Sequence, residues 1–561
     1  MSEQQRIFVA VALCLGILLA WQFFFSPEPT RPPAPPPPAT SAAPAAPAAD
    51  APEPPAAALS GAPAPKMSPA ALPEVRRSFA TELLSGELSS RDGALTRLEL
   101  LHYNERPAEG DKQAPRHPVS LVTAVRDGQP YQAPIDLKLG GRPTPAWIFD
   151  ETQGPLVLRG QSDGVETRTE IAVRADAYAL DYAVSVTNTS GTELPVSAAI
   201  TLALRRVASQ GSFFAPPADL MHGLCATGTE IERRQESGLA DDGAWQGSGP
   251  LGWAGIDRQY FVAALVPREV TPATCKMNVK DGMLSVSVLW DEERVAPGGR
   301  FEKEFTLFLG PKREESLAAA SARLTDVIDY SIWGIPLGFL CRPMVFLLNT
   351  FHGWIASWGV AIMLLTLLVK ALLFPITYKS IISMRKMQLL KPEMDRIKQQ
   401  FEGDRERQQM EQLKLFKEKG VNPLGGCLPM LMQMPVWFAL YRTLWTAVDL
   451  YQQPFLWVSD LTAKEPFPFM ALVLGALTYV QQKLTPQAAD NQQAKMMLYL
   501  MPVMLTVFMI ALPSGLVLYI LVNSILTIIQ QLAINRTLPA VQGRTAASVP
   551  ARTARVNRSG G

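Results

Sequence analysis

Residues 360–374 read VAIMLLTLLVKALLF, an apolar run interrupted by one cation, Lys370. A charge at the centre of a membrane-spanning helix costs ~2.5 to 3.5 kcal/mol on insertion scales, so it persists mainly where it faces protein or a water-filled cavity. Two placements are open. Lys370 lines a polar pocket inside a membrane domain, or it snorkels: Tyr378 and Lys379 lie about 12 Å further on at ~1.5 Å per helical residue, and a lysine stem can reach towards a headgroup.

The flanking sequence weighs between them. Counting outward from Lys370, five apolar segments occupy residues 354–374, 424–444, 467–480, 496–512 and 516–534. The third and fourth fall short of the ~20 helical residues that a ~30 Å hydrocarbon core asks for, so the bilayer thins there or protein shields them. In the last segment Tyr519, Asn523 and Thr527 recur in steps of four and share one helix face. Thr366 lies one turn before Lys370, and Gln433 interrupts the methionine-rich Met430, Met432, Met434 stretch. Single polar residues in spans usually join helices. Several converging with a lysine point instead to a hydrated groove, with the methionines as a pliable apolar flank for varied partners.

Charge distribution orients this core. Residues 379–419 carry eleven Lys and Arg, and the tail from Arg536 adds Arg544, Arg552, Arg555 and Arg558 with no acid, whereas residues 447–466 hold Asp449, Asp460 and Glu465 against Lys464. The positive-inside rule places the 379–420 segment and the C-terminus in the cytosol. That segment reads as two charged helices, residues 380–400 and 404–419, folded back at Glu402-Gly403-Asp404. It is either a self-supporting solvated hairpin or a docking surface.

Towards the N-terminus, residues 7–25 (IFVAVALCLGILLAWQFFF) form a 19-residue apolar stretch behind Arg6, read as a retained anchor over residues 1–25 with its N-terminus in the cytosol. Residues 26–73 are dominated by proline and alanine and read as a tether. From 74 to 312 the period changes to two. Leu180, Tyr182, Val184 and Val186 share one face, as do Leu284, Val286, Val288 and Trp290, and turn pairs such as Asp92-Gly93 and Gly140-Gly141 punctuate the strands. This is an all-β soluble domain without paired carboxylates flanked by aromatics that single out a site, so a non-catalytic role is expected, and few sequence features tie it to the polar stripe. Residues 313–353 suit an interfacial amphipathic segment.

Net charge is only +1 over 561 residues, which says nothing about partners. The five cysteines and four histidines show no metal-ligand spacing. Cys225 and Cys275 are either buried thiols, the commoner state, or a disulfide if their domain is exported. With no nucleophile and base, nucleotide loop or metal cluster, no cofactor is expected and the chain does not read as an enzyme.

Three motifs carry a resemblance: Asn422-Pro423-Leu424-Gly425-Gly426-Cys427-Leu428-Pro429 followed by Gln433-Met434-Pro435, residues 455–460, and Pro513-Ser514-Gly515-Leu516-Val517-Leu518-Tyr519. With Trp253 and Gln259-Tyr260-Phe261-Val262 in the β domain, the chain resembles the YidC/Oxa/Alb family of membrane protein insertases, in its long Gram-negative form. The resemblance implies a multi-domain membrane protein of the bacterial inner membrane. It would have an N-terminal anchor span, a galactose-mutarotase-like periplasmic supersandwich, and a five-span core at 354–536 enclosing a groove, with a basic cytosolic tail at 537–561. Its implied partners are nascent membrane proteins, the Sec translocon (SecYEG, SecDF), the ribosome or signal recognition particle through the hairpin and tail, and the lipid bilayer. The groove residues would be Lys370, Thr366, Gln433, Met430, Met434, Tyr519, Asn523 and Thr527. One departure stands out: the family's groove charge is typically arginine, and lysine keeps the charge while losing the planar five-donor fork. A secondary transporter or channel using Lys370 is the rival reading; it would favour internal repeats, which the spans lack. An enzyme acting on envelope sugars through the β domain comes third.

Overall fold

The computed structural model describes residues 73–106, 117–126, 128–142, 144–150, 156–162, 164–205, 220–332, 334–421, 428–484 and 492–537. The expected anchor, the tether, the motif at 422–427 and the basic tail lie outside them.

The period-2 segments pair as expected, and every ladder is antiparallel. A four-stranded sheet joins strands Arg76–Ala80, Leu84–Ser89, Leu95–Asn104 and Pro118–Ser120 in sequence order. A much larger sheet runs from Glu293–Val295 through Leu194–Arg205, Met283–Trp290, Pro272–Lys280, Trp245–Asp257, Phe261–Pro267, Arg300–Pro311, Ala179–Asn188 and Val165–Val173 to Val157–Ser162 and Ile148–Phe149. The 13-residue strand Trp245–Asp257 is its corner. Its first half pairs with Pro272–Lys280 and its second half with Phe261–Pro267 and His222–Thr227, so the sheet folds over on itself and buries a shared core. Gly255 allows the close approach at this corner, because a Cβ there would meet the Ala263 carbonyl. Alternation places Leu284, Val286, Val288 and Trp290 inside. Along Ala179–Asn188, Ala179 and Ser185 are buried too, because this strand is covered on both faces there. Cys225 and Cys275, both fully buried, form a disulfide across the corner strand with Cα atoms 6.3 Å apart. The commoner thiol state therefore gives way to the bridged one, since the fold brings two cysteines 50 residues apart onto neighbours of the same strand.

Ten helices are labelled in chain order among the described residues: α1 Glu236–Asp242, α2 Glu314–Ala320, α3 Gly338–Ile355, α4 Trp358–Leu389, α5 Lys391–Gln400, α6 Arg405–Glu418, α7 Leu428–Thr446, α8 Phe469–Leu484, α9 Gln492–Ile510 and α10 Ser514–Thr537. Two of them, α4 and α10, are long and apolar enough to cross a membrane by length and composition. The structure moves two boundaries. Ala356 closes α3 in the left-handed region at φ 54°, so the helix expected from residue 354 begins at Trp358. At the other end α4 continues through Pro375 to Leu389, and the expected 380–400 helix is split at Leu390. Pro392, at the start of α5, has no N–H to continue the preceding ladder. The turn before α6 is where the sequence puts it, with Gly403 at φ 97° and Asp404 capping the Arg407 amide.

The β domain and the helical core are joined by named contacts, which lie at residues 445–460 and not at the polar stripe. Arg313 pairs with Asp449 at 2.8 Å, and the Gln259 amide donates to the Trp445 carbonyl at 3.4 Å. Arg106 pairs with Asp460 at 3.2 Å, while Tyr451 donates to the Asn104 carbonyl at 2.9 Å. The sequence hides these contacts because each partner sits alone in its segment, and only the fold aligns them. Beneath them lies a buried charge cluster in which Asp257 accepts from Lys312 and Arg233, each at 2.7 Å. Burial holds the Lys312 ammonium below its ordinary pKa, against the pull of Asp257.

Two predictions concern this domain. Replacing Cys225 and Cys275 together by serine should lower the stability of the β domain by about 2 to 4 kcal/mol, read by chemical denaturation of the purified protein; an unchanged midpoint would refute it. Burial also holds His222 below its ordinary pKa of 6.5. A depressed folded pKa means that the stability it contributes is present above about pH 6.5 and is lost as pH falls, because unfolding then takes up a proton. His222→Gln should flatten the acid limb of the stability profile, and an identical limb would count against the buried imidazole.

Candidate functional site

Helix α10 packs against both α4 and α8, and this places the expected polar stripe beside Lys370. The Lys370 Nζ donates to Thr527 Oγ1 at 2.8 Å, and the Thr527 hydroxyl donates in turn to the Asn523 carbonyl at 2.7 Å. The hydroxyl proton is thus committed along α10, leaving oxygen lone pairs for the ammonium. From α7, Gln433 Nε2 approaches Tyr519 Oη at 3.4 Å and Asn523 Oδ1 at 3.5 Å, long contacts that still bring a third helix to the cluster. Lys370, Gln433, Asn523 and Thr527 are half-buried, whereas Tyr519 is only 1% exposed. The packing therefore brings Lys370, Gln433, Tyr519, Asn523 and Thr527 together.

The other expected members behave differently. Thr366 is buried and spends its hydroxyl on the Ile362 carbonyl at 2.7 Å, a local bond within its own helix. Met434 is exposed, and the side chain of Met430 lies outside the described residues. A further polar group is Gln530, whose amide nitrogen is buried without a hydrogen-bond partner among the described residues. It continues the stripe three residues beyond Thr527, a spacing that could have flagged it.

Among the described residues no carboxylate pairs with Lys370. Nor do any three His, Cys, Asp or Glu side chains cluster to hold a metal. The arrangement sets the Lys370 ammonium beside neutral donors and acceptors.

Residues 350–541 match the 60Kd inner membrane protein family, and residues 76–347 match the YidC periplasmic domain. A protein named membrane protein insertase YidC from Anaeromyxobacter sp. (strain K) is 37% identical over 549 residues, covering 94% of this chain and 96% of that one. A crystal structure of an active YidC insertase with its first transmembrane domain resolved aligns over 82% of this chain and 92% of that one at 17% identity and TM-score 0.36. A galactose mutarotase-like protein from Lactobacillus casei aligns over 42% of this chain and all of its own at 10% identity and TM-score 0.28. Both superpositions are loose, and the relationship stands on the sequence matches.

Thr527→Val keeps the side-chain volume and removes the acceptor that faces Lys370. The expected loss is about 1 to 3 kcal/mol, read as a lower melting temperature in detergent. Adding Lys370→Met should recover most of it, and a neutral Thr527→Val would show that the bond contributes nothing.

Proposed function

The chain belongs to the YidC membrane protein insertase family, and we propose that it works through a hydrated groove in which Lys370 attracts the polar, preferentially acidic end of a nascent segment. The observation that carries this reading is the neutral surroundings of Lys370: its hydrogen-bond partner is a threonine hydroxyl, and among the described residues no carboxylate cancels its charge. A lysine committed to a structural ion pair would have no attraction left for a client. The shared polar stripe gives the client's backbone and side chains hydrogen-bond partners along part of the hydrocarbon depth. Its apolar span then leaves sideways into lipid.

The same reading assigns five crossings to α4, α7, α8, α9 and α10, with α3 in the interface. Along α3, Cys341, Met344 and Leu348 are buried against the core while Phe339, Phe346 and Trp354 are exposed, the amphipathic disposition of a helix lying on a bilayer. Charge asymmetry favours a cytosolic 379–420 hairpin and C-terminus and an extracytoplasmic β domain. The disulfide supports the oxidising side for that domain. The hairpin, closed on its own small core of Leu390, Met394, Leu415, Phe416 and Val421, is the proposed contact for ribosome or signal recognition particle. The Sec translocon is the proposed partner for larger clients.

The test is insertion of a single-span client with an acidic translocated end into liposomes holding the purified chain. Lys370→Arg should retain activity, Lys370→Ala should lower it on the order of tenfold, about 1.4 kcal/mol of lost attraction, and Lys370→Glu should lower it further. Parent-level activity in Lys370→Glu would remove the electrostatic reading, since a reversed charge repels where the parent attracts.

A further inference from the structure

The loop between α7 and α8 closes the end of the helical core that faces the β domain, and its order centres on Asp460. One carboxylate oxygen accepts from the Gln452 amide at 3.0 Å, the Thr462 amide at 2.8 Å and the Thr462 hydroxyl at 2.6 Å. The other meets the Arg106 guanidinium, which comes from the β domain. Arg106 lies over the rings of Tyr260 and Tyr451, 5.5 and 5.0 Å from their centroids. It thus joins an aromatic residue of the β domain to one of the loop while pairing with the loop's buried carboxylate. Asp460 is 8% exposed, and Arg106 is the cation paired with it among the described residues.

The same loop holds helix starts. The Ser514 hydroxyl donates to the Asp460 carbonyl at 3.0 Å, and the Ser514 and Gly515 amides donate to the Ala463 and Leu461 carbonyls at 2.8 Å each, fixing the first turn of α10. Phe455 lies flat against Gly359 in the first turn of α4, where a Cβ has no room. Helices α4 and α10 are the two that bring Lys370 and Thr527 together. The chain of contacts therefore runs from Arg106 through Asp460 and the loop to the outer turns of the helices that form the polar site.

We propose that Arg106 is a positioning residue for insertion: acting through Asp460, it holds the loop that sets the outer ends of α4 and α10 and closes the polar site on the β-domain side. The β domain is then part of the working core, supplying the charge that the core's own carboxylate lacks. The consequence for closure rests on the groove reading above; the consequence for loop order does not.

The experiment uses the full chain in liposomes, with Cys14, Cys341 and Cys427 replaced by alanine; Asn523→Cys is added as reporter for the labelling measurement alone, and exchange and insertion are read with Asn523 in place. Three quantities are read: amide exchange across residues 447–466, reaction of the reporter with a membrane-impermeant maleimide from each side, and client insertion. Arg106→Gln should speed exchange across the loop at least about tenfold, open the reporter to reagent from the β-domain side and lower insertion. Arg106→Lys, which keeps charge but loses the flat stack, should fall between. Arg106→Gln with Asp460→Asn should return all three readouts towards the parent, because a neutral pair leaves no buried charge uncompensated. Parent-like exchange, labelling and insertion in Arg106→Gln would overturn the proposal, as would a double variant worse than either single one. If the reporter in the parent reacts from neither side, the groove reading fails, and loop exchange alone then decides for or against Arg106.

Discussion

A carboxylate taken out of water must find its hydrogen bonds and a positive charge in the protein, and Asp460 finds them in two different places. Its own loop supplies the amides and hydroxyl, and the β domain supplies the guanidinium. Removing one partner of a buried pair costs about 3 to 5 kcal/mol where both are dry; Arg106 keeps part of its side chain in solvent, so the figure here is smaller. The arrangement still matters out of proportion to that energy, because the loop organised by Asp460 contacts the first turns of α4 and α10. Those turns set where the deeper residues of each helix lie.

Deeper in the core the polar groups obey a different economy. Lys370 has three donors and spends one on Thr527, whose own proton goes to the Asn523 carbonyl. Neutral partners satisfy hydrogen bonds without cancelling charge, which distinguishes this cluster from an ion pair. Tyr519 and Gln433 extend the polar surface onto α7, while Thr366 is absorbed by its own helix. Lysine at this position carries a point charge on a flexible stem and lacks the planar fork of an arginine.

The β domain shows how a soluble fold is fastened to such a core. Its corner strand folds the large sheet over a single interior, and the disulfide joins the two neighbours of that strand. Tyr260, in the turn after the same strand, packs against Tyr451 with ring centroids 5.2 Å apart, and Val448 and Tyr451 belong to the domain's own hydrophobic core. The Gln259-Tyr260 motif thus marks a junction, a role that its sequence alone does not reveal.

Periodicity alone determined the strands, the apolar helices and the polar face of α10, because spacing of two or four residues follows from backbone geometry that any context must respect. The lone lysine and the residues of the stripe were legible for the same reason: a polar group in an apolar run has a cost that needs an explanation. The pairing of Cys225 with Cys275 and the Arg106 to Asp460 contact were decided by tertiary structure, while the break at Leu390 and the retirement of Thr366 are seen only once the helices are in place. The disulfide and the Arg106 to Asp460 contact depend on which distant segment arrives beside a residue, and residues 354 positions apart carry no spacing signal; the break and the Thr366 bond are local, set by Pro392 and by the carbonyl one turn back. What a side chain can do is written in its type and period; whether its charge or hydroxyl is free to do it depends on the neighbour that folding delivers.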